Sequence, residues 1–263
     1  MTKTLITCGQ HPGVYFLGKW LPEAEIVYGD ASFIEQIPVP KQLLLPLVSQ
    51  PDFIHQLLNI CLDQQIESVF AMAAAEQELL AEAVELFAEF NIQLQLPNLL
   101  TRKLLLKEAL LLENLNQAGI NIIPFRTSAS VETFSKACLV LGYPSESIAI
   151  SFAENLGMIW IMDDQLAKTE SYIQGKPVIT FIKALKLLNQ EELLLLRKFH
   201  QPAFKTNYAV FTGGKLVSCW NNLSQQGTQT LNQTAQHLKL NGLFEFNLQQ
   251  EQQLFGIKPF EVR

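Results

Sequence analysis

Acidic and amide side chains recur near the end of the chain in a pattern that suits a hard cation. Gly242-Leu243-Phe244-Glu245-Phe246-Asn247 reads as a strand, and Lys258-Pro259-Phe260-Glu261 as part of the next one. Side chains alternate along a strand, so Glu245 and Asn247 share a face, and Glu261 is expected to meet them across the ladder. Such oxygens could hold Mg2+ through its waters, because this ion gives up its hydration shell reluctantly. A pairing of Glu261 with Arg263 or a nearby lysine competes with that reading on equal terms. Gly9-Gln10-His11-Pro12-Gly13 follows a strand as a nucleotide loop would, but it lacks the G-x-G-x-x-G spacing, which counts against a dinucleotide site in which Asp30 could touch a ribose. Cys8, Cys61, Cys138 and Cys219 are scattered, with no C-x-x-C and no histidine at ligand spacing, so neither a disulfide framework nor a zinc site is expected. His200 reads as an ordinary loop histidine.

The elements that must position these groups fall into two series. In the first hundred residues, strand signals at Thr4–Cys8, Glu25–Tyr28, Ser68–Met72 and Ile92–Leu96 alternate with helix signals at Gly13–Leu21, 53–62 and Glu76–Glu89. Asp52 is placed to cap the second of these helices. Strands separated by helices imply right-handed crossovers and a parallel sheet, hence a Rossmann-like half-domain over 1–100. A long amphipathic helix is predicted from Thr101 to Ala118, stopping at Gly119, and it carries Lys103 and Lys107. A helix through Val140 then ends at Gly142-Tyr143-Pro144. Beyond it the pattern becomes α+β. Strands are predicted at Ile148–Phe152, Met158–Met162, Pro177–Ile182, Asn207–Phe211, Lys215–Trp220, Leu243–Leu248 and Ile257–Val262, and helices at Gln190–Arg197 and Gln229–Leu240.

Composition narrows the function classes. The 263 residues are 48% hydrophobic, enough for a sizeable core and too apolar for a disordered chain. Asp and Glu number 25 against 19 Lys and Arg, and that net charge of −6 argues against nucleic-acid binding, which needs clustered cations. No apolar run reaches the ~20 residues of a membrane span. With no basic, apolar leader at the N-terminus, the expectation is a cytoplasmic protein.

The order of these segments resembles the ATP-grasp superfamily, in particular its carboxylate–amine ligases similar to the large chain of carbamoyl-phosphate synthase. The resemblance rests on Ala118-Gly119-Ile120-Asn121-Ile122-Ile123-Pro124, a following helix, Leu141-Gly142-Tyr143-Pro144, the strand Ile148–Phe152 and the closing Phe260-Glu261-Val262-Arg263. It implies a Rossmann-like pre-ATP-grasp domain followed by an α+β ATP-grasp-like domain over 101–263, incomplete at its C-terminus. It also implies ATP and Mg2+ as cofactors and a small-molecule carboxylate or amine as substrate, and it leaves a homo-oligomer open. Lys107, with Lys103 as its neighbour, falls near the family's first phosphate-side lysine. Glu245, Asn247 and Glu261 fall at its metal-binding end. In the cleft so implied, His11 and Asp30 could help line the substrate side.

Three departures from the family weigh on that chemistry. Ser151 stands where the second phosphate-side lysine is expected, and a hydroxyl cannot neutralise phosphate as an ammonium does. The loop that should cradle phosphate, Ala153-Glu154-Asn155-Leu156-Gly157-Met158, has one glycine, so few backbone N–H groups can approach an anion. The hinge region, Leu196 to Pro202, has no acidic residue for the adenine and ribose side. The resulting expectation is weakened or lost ATP chemistry, with a non-catalytic small-molecule- or protein-binding role as the alternative. Phe152, Met158, Trp160 and Phe199 are candidates to fill the cleft.

Overall fold

The structure, a computed structural model, describes residues 2–21, 24–32, 41–153, 158–173, 175–190, 192–199, 205–220, 223–248 and 253–262. Three sheets organise them. The first is wholly parallel and contains β1 (Thr2–Ile6), β2 (Ala24–Asp30), β3 (Gln42–Leu44), β4 (Ser68–Phe70) and β5 (Gln93–Leu94), in the order β3-β2-β1-β4-β5. Helices α1 (Pro12–Leu17), α2 (Phe53–Asp63), α3 (Ala74–Glu82) and α4 (Val84–Glu89) supply its crossovers. On α2 the buried residues are Phe53, Leu57, Leu58 and Cys61, an apolar stripe at helical spacing that packs with Leu5, Val69 and Phe87. Asp52 does sit at the start of α2, but its carboxylate accepts from Gln56 Nε2 at 2.6 Å and caps no backbone N–H.

The second sheet has the order β6-β11-β7-β8-β10-β9, from β6 (Phe125–Ser128), β7 (Ser147–Phe152), β8 (Trp160–Met162), β9 (Tyr172–Ile173), β10 (Lys176–Ile179) and β11 (Leu194–Phe199). With it go α5 (Leu99–Leu105), α6 (Glu108–Gln117), α7 (Val131–Val140) and α8 (Phe181–Leu185). The third sheet is antiparallel, ordered β13-β12-β14-β15, from β12 (Lys205–Thr212), β13 (Lys215–Cys219), β14 (Gly242–Leu248) and β15 (Leu254–Pro259). Helix α9 (Gln225–Leu238) covers one of its faces through Leu231, Ala235 and Leu238, which pack with Phe211, Phe244 and Phe246. No helix among the described residues is long and apolar enough to cross a membrane.

The sequence pattern misplaces several elements, each for a physical reason. Gln190–Arg197 is no helix, because Leu194 to Phe199 form the strand between β6 and β7. Its leucines favour helices, but a run apolar on both sides also suits a strand covered on both faces. The helix expected over Thr101–Ala118 is two helices. Lys107 leaves helical geometry (φ −112°, ψ 82°) and α6 starts afresh, its Ala109 N–H donating to the carbonyl of Ala153 at 3.3 Å. Glu76–Glu89 likewise breaks at Ala83. The strand over Pro177–Ile182 stops at Ile179, and Thr180 caps α8. Gly119 and Gly142 do adopt the positive φ of helix-stopping glycines, +72° and +97°.

Where the first and third sheets meet, Ile6, Tyr28, Phe70 and Met72 pack with Val210 and Leu243. The approach is close enough that a Cβ on Gly242 (φ +106°) would lie 2.5 Å from the carbonyl oxygen of Gln95.

Candidate functional site

Alternation along β7 and β11 divides their side chains between two cores. Ile148, Ile150, Leu194 and Leu196 pack with Phe134 and Cys138 of α7. On the opposite face Ala149 and Phe199 pack with Ile161 and Phe255, and Leu195 packs with the core of the third sheet. Ser151 and Arg197 fall on this second face, which looks toward β15. Arg197 is fully buried. Its Nη1 donates to Glu108 Oε1 at 2.5 Å and to the carbonyl of Phe255 at 3.2 Å, and its Nη2 donates to Ser151 Oγ at 3.1 Å. The Ser151 hydroxyl donates in turn to Glu108 Oε2 at 3.3 Å. The Phe255 ring stacks on the guanidinium, with Cζ 3.9 Å from its centroid. Glu108 reaches this point because the break at Lys107 places it in the first turn of α6. A charge this deeply buried is tolerated only when paired, and Glu108 is the pair.

Among the described residues, two buried side-chain atoms stay unsatisfied. Arg197 Nε and Asn247 Oδ1 have no hydrogen-bond partner. They belong to adjoining parts of the structure: Asn247 pairs in register with Gly256, next to the Phe255 that Arg197 contacts. Lys176 on β10 faces the same region. Burial, and next the positive charge of Arg197, hold its ammonium below the ordinary lysine pKa, while Glu245 pulls the other way. Burial and the Glu245 charge also push the Tyr208 hydroxyl up.

Glu245 and Asn247 share a face of β14 as expected, with Phe244 and Phe246 turned to the opposite core. Glu245 stands opposite Lys258 and forms an ion pair with it at 3.3 Å. The expected meeting with Glu261 does not occur. After β15 the chain leaves the third sheet, and the Val262 N–H donates to the carbonyl of Met72 at 2.8 Å, at the end of β4. Glu261 thereby reaches Arg102 of α5, at 3.2 Å. Arg102 Nη1 also donates to Gln77 Oε1 at 2.8 Å, and Gln77 Nε2 donates to the carbonyls of Ala71 and Phe260, each at 3.0 Å. Among the described residues no group of three or more His, Cys, Asp or Glu side chains could hold a metal ion.

Lys103 lies on α5 and Lys107 at the break before α6, both exposed to solvent. Glu154 to Gly157 of the short loop, His200 to Pro202 and Arg263 lie outside the described residues. Of the expected cleft-filling side chains, Phe199 is on the Arg197 face. Phe152 packs on the α7 side and stacks edge-on with Trp160 at 5.5 Å, and Met158 is exposed. At the end of β2, Asp30 accepts from the Gln10 N–H at 3.4 Å, and burial with the nearby charges of Glu76 and Asp30 pushes the Cys8 thiol up to about 12. Glu108, Arg197 and Lys176 were not legible as site residues. The pattern puts Arg197 in a helix, and Glu108 falls within the amphipathic helix predicted from Thr101 to Ala118. The one available signal was a lone arginine ending a run of four leucines, Leu193 to Leu196.

No family model matches the sequence, and no curated protein matches it. Solved structures do. N5-carboxyaminoimidazole synthetase from Staphylococcus aureus, complexed with ADP, is similar over 100% of this chain and 70% of that one, with a TM-score of 0.55 and 15% identity. A biotin carboxylase from Campylobacter jejuni, in a β,γ-ATP complex, covers 100% and 66% respectively, with a TM-score of 0.57 and 13% identity. A RimK domain ATP-grasp protein from Sphaerobacter thermophilus covers 100% and 92%, with a TM-score of 0.55 and 15% identity. The chain therefore spans about two thirds of the first two and nearly all of the third. At such identities the likeness is one of fold.

Proposed function

Because the chain has the ATP-grasp fold, with a Rossmann-like parallel sheet at its start, we propose that it is a relative of ATP-dependent carboxylate–amine ligases whose ATP chemistry is weakened or lost. We read residues 1–100 as the pre-ATP-grasp domain and 101–263 as the ATP-grasp-like domain. The observation that carries the proposal is the buried Ser151–Arg197–Glu108 trio. Where the family's resemblance calls for an ammonium facing phosphate, this chain has a hydroxyl bonded to a guanidinium that its own carboxylate already neutralises. A triphosphate brought there would have to compete with Glu108 inside a low-dielectric core.

The proposed metal residues support the same reading. Glu245 is engaged by Lys258 and Glu261 by Arg102, on different parts of the structure, and Asn247 alone is neutral. Two carboxylates each held by a cation are a poor match for Mg2+, which needs oxygens converging on one octahedron. These residues do not fit the ion, and no catalytic step is derived through it. Lys103 and Lys107, the lysines that the resemblance sets near a phosphate, are exposed to solvent and would act there only as screened point charges. A small-molecule carboxylate or amine remains the proposed ligand class, bound without turnover.

Calorimetric titration with Mg-ATP tests the reading. The expected outcome is no saturable heat at micromolar concentrations. Micromolar, magnesium-dependent affinity would overturn it.

A further inference from the structure

The strand order of the first sheet reverses between β1 and β4: β2 and β3 lie outward of β1 on one side, and β5 lies outward of β4 on the other. In open parallel sheets, ligands settle in the crevice outside the carboxyl ends of two such strands. Here β1 pairs with β4 as far as Thr7, whose N–H donates to the Phe70 carbonyl at 3.0 Å. The chain then leans away toward β2, and the Gly9 N–H donates to the Gly29 carbonyl at 2.9 Å. Along an extended chain, alternate residues turn their backbone groups to the same neighbour, so Met72 faces the side that β1 has left. Its N–H does so by donating to Thr7 Oγ1 at 2.9 Å. Its carbonyl, the next acceptor on that edge, is taken by the Val262 N–H at 2.8 Å, and Val262 forms a parallel bridge with Ala73.

The segment after β15 thus enters the crevice between the parting ends of β1 and β4. Side chains hold it there. Gln77 Nε2 joins the Phe260 carbonyl to that of Ala71, Glu261 meets Arg102 at 3.2 Å, and the Phe260 ring stands edge-on to Tyr208 at 5.6 Å. Phe260 and Val262 pack on the cluster that contains Ile6, Phe70 and Met72, and so does Cys8. The space left beside the segment, lined by Met72, Gln77, Gln95, Gly242 and Phe260, is about 10 Å³, room for a single water.

We propose that residues 260–262 form an autoinhibitory strap, which closes the crevice of the first sheet to ligands and is latched down by the Arg102–Glu261 pair. The strap is built to lift without unfolding the sheet beneath it. Its own residues are only partly buried, whereas Leu5, Ile6 and Val69 of β1 and β4 are fully buried. Its hydrogen bonds are individually weak in net terms, and the latch keeps enough solvent contact for salt to reach it. A ligand of the crevice therefore binds with an affinity reduced by the fraction of time the strap is up.

Two readouts on the full chain test the strap: amide exchange at Val262, and labelling of Cys8 by N-ethylmaleimide, located by peptide mapping. Glu261→Ala removes the latch and should speed Val262 exchange about tenfold, with Cys8 labelling rising in step. Salt near 1 M, where the Debye length falls to about 3 Å, should speed that exchange in the parent and have less effect in the variant. Val262→Pro deletes the N–H bonded to Met72 but leaves the latch, and it should speed Cys8 labelling as well. Cys61 and Cys138, buried in other cores, should label at the parent rate in both variants. Cys8 labelling unchanged in both variants overturns the strap. So does labelling of Cys61 and Cys138 that rises as much as that of Cys8, because the loosening is then global. An identical salt response in parent and Glu261→Ala overturns the latch.

Discussion

Two arginine–glutamate pairs hold this molecule at two places, and they differ in what surrounds them. Arg197 and Glu108 meet between the second and third sheets, where neither touches appreciable solvent. Arg102 and Glu261 meet at the seam with the first sheet, and about a quarter of the Glu261 side chain remains exposed. At the seam Arg102 has further polar company: Gln77 accepts from it and ties the Phe260 carbonyl to Ala71. In the interior the company is a serine, a backbone carbonyl and an aromatic ring, and one N–H is left over. The same two residue types thus serve as a latch in one place and as an expensive, incompletely satisfied core feature in the other. A wet pair tolerates loss of a partner, whereas a dry one does not.

The largest expected effect follows directly. Glu108→Leu leaves the Arg197 charge buried without its counter-ion and should cost about 3–5 kcal/mol of stability by denaturant titration. The double variant Glu108→Leu/Arg197→Met removes both charges and should recover most of that loss, since a buried pair is often no better than apolar residues of similar volume. If the double variant is as unstable as the single one, burial is not what separates the two pairs. A smaller effect is expected at the seam. Glu261→Ala should cost about 1–2 kcal/mol and raise amide exchange at Val262, whose N–H binds Met72, without changing exchange in β7 and β11. Equal losses at both sites would erase the distinction drawn between them.

The same contrast explains what could be read in advance. The parallel first sheet was legible because each strand and crossover helix carries its own periodicity, as the stripe Phe53, Leu57, Leu58, Cys61 shows. The face shared by Glu245 and Asn247 was legible for the same local reason. Glu261 was not, because its position depends on where the chain turns after Pro259, and that is decided by Met72, nearly two hundred residues earlier. Arg197 was hidden more deeply. Its leucine neighbours satisfy both a helix and a doubly covered strand, and only the pairing with β6 and β7 settles which. The resemblance singles Ser151 out as a departure, but nothing in its own segment indicates that Arg197 and Glu108 converge on it.

A third carboxylate, partly buried, extends the comparison to a case without a cation among its described hydrogen-bond partners. Glu76, in the first turn of α3, accepts from the Thr7 hydroxyl and, at 3.4 Å, from the Ala73 N–H; among the described residues its hydrogen-bond partners include no lysine or arginine. Thr7 is itself held by the Met72 N–H at 2.9 Å, so the carboxyl sits on a fixed, neutral scaffold. Burial raises its pKa above the ordinary 4.5, more than those hydrogen bonds lower it, and the Asp30 charge adds to the rise. The folded protein therefore binds a proton here more tightly than the unfolded chain does. The associated stability is fully present below about pH 4.5 and is lost as pH rises through the raised folded value. Glu76→Gln mimics the protonated form, so its stability relative to the parent should increase across that interval, and its pH profile should lose the corresponding slope. The shift should be the smallest of the three, because the Thr7 and Ala73 donors already stabilise the ionised form. A parent and variant whose denaturation midpoints move in parallel from pH 4 to pH 7 would mean that Glu76 is solvated like the carboxylate at the seam, and that burial without a cation carries no cost of its own.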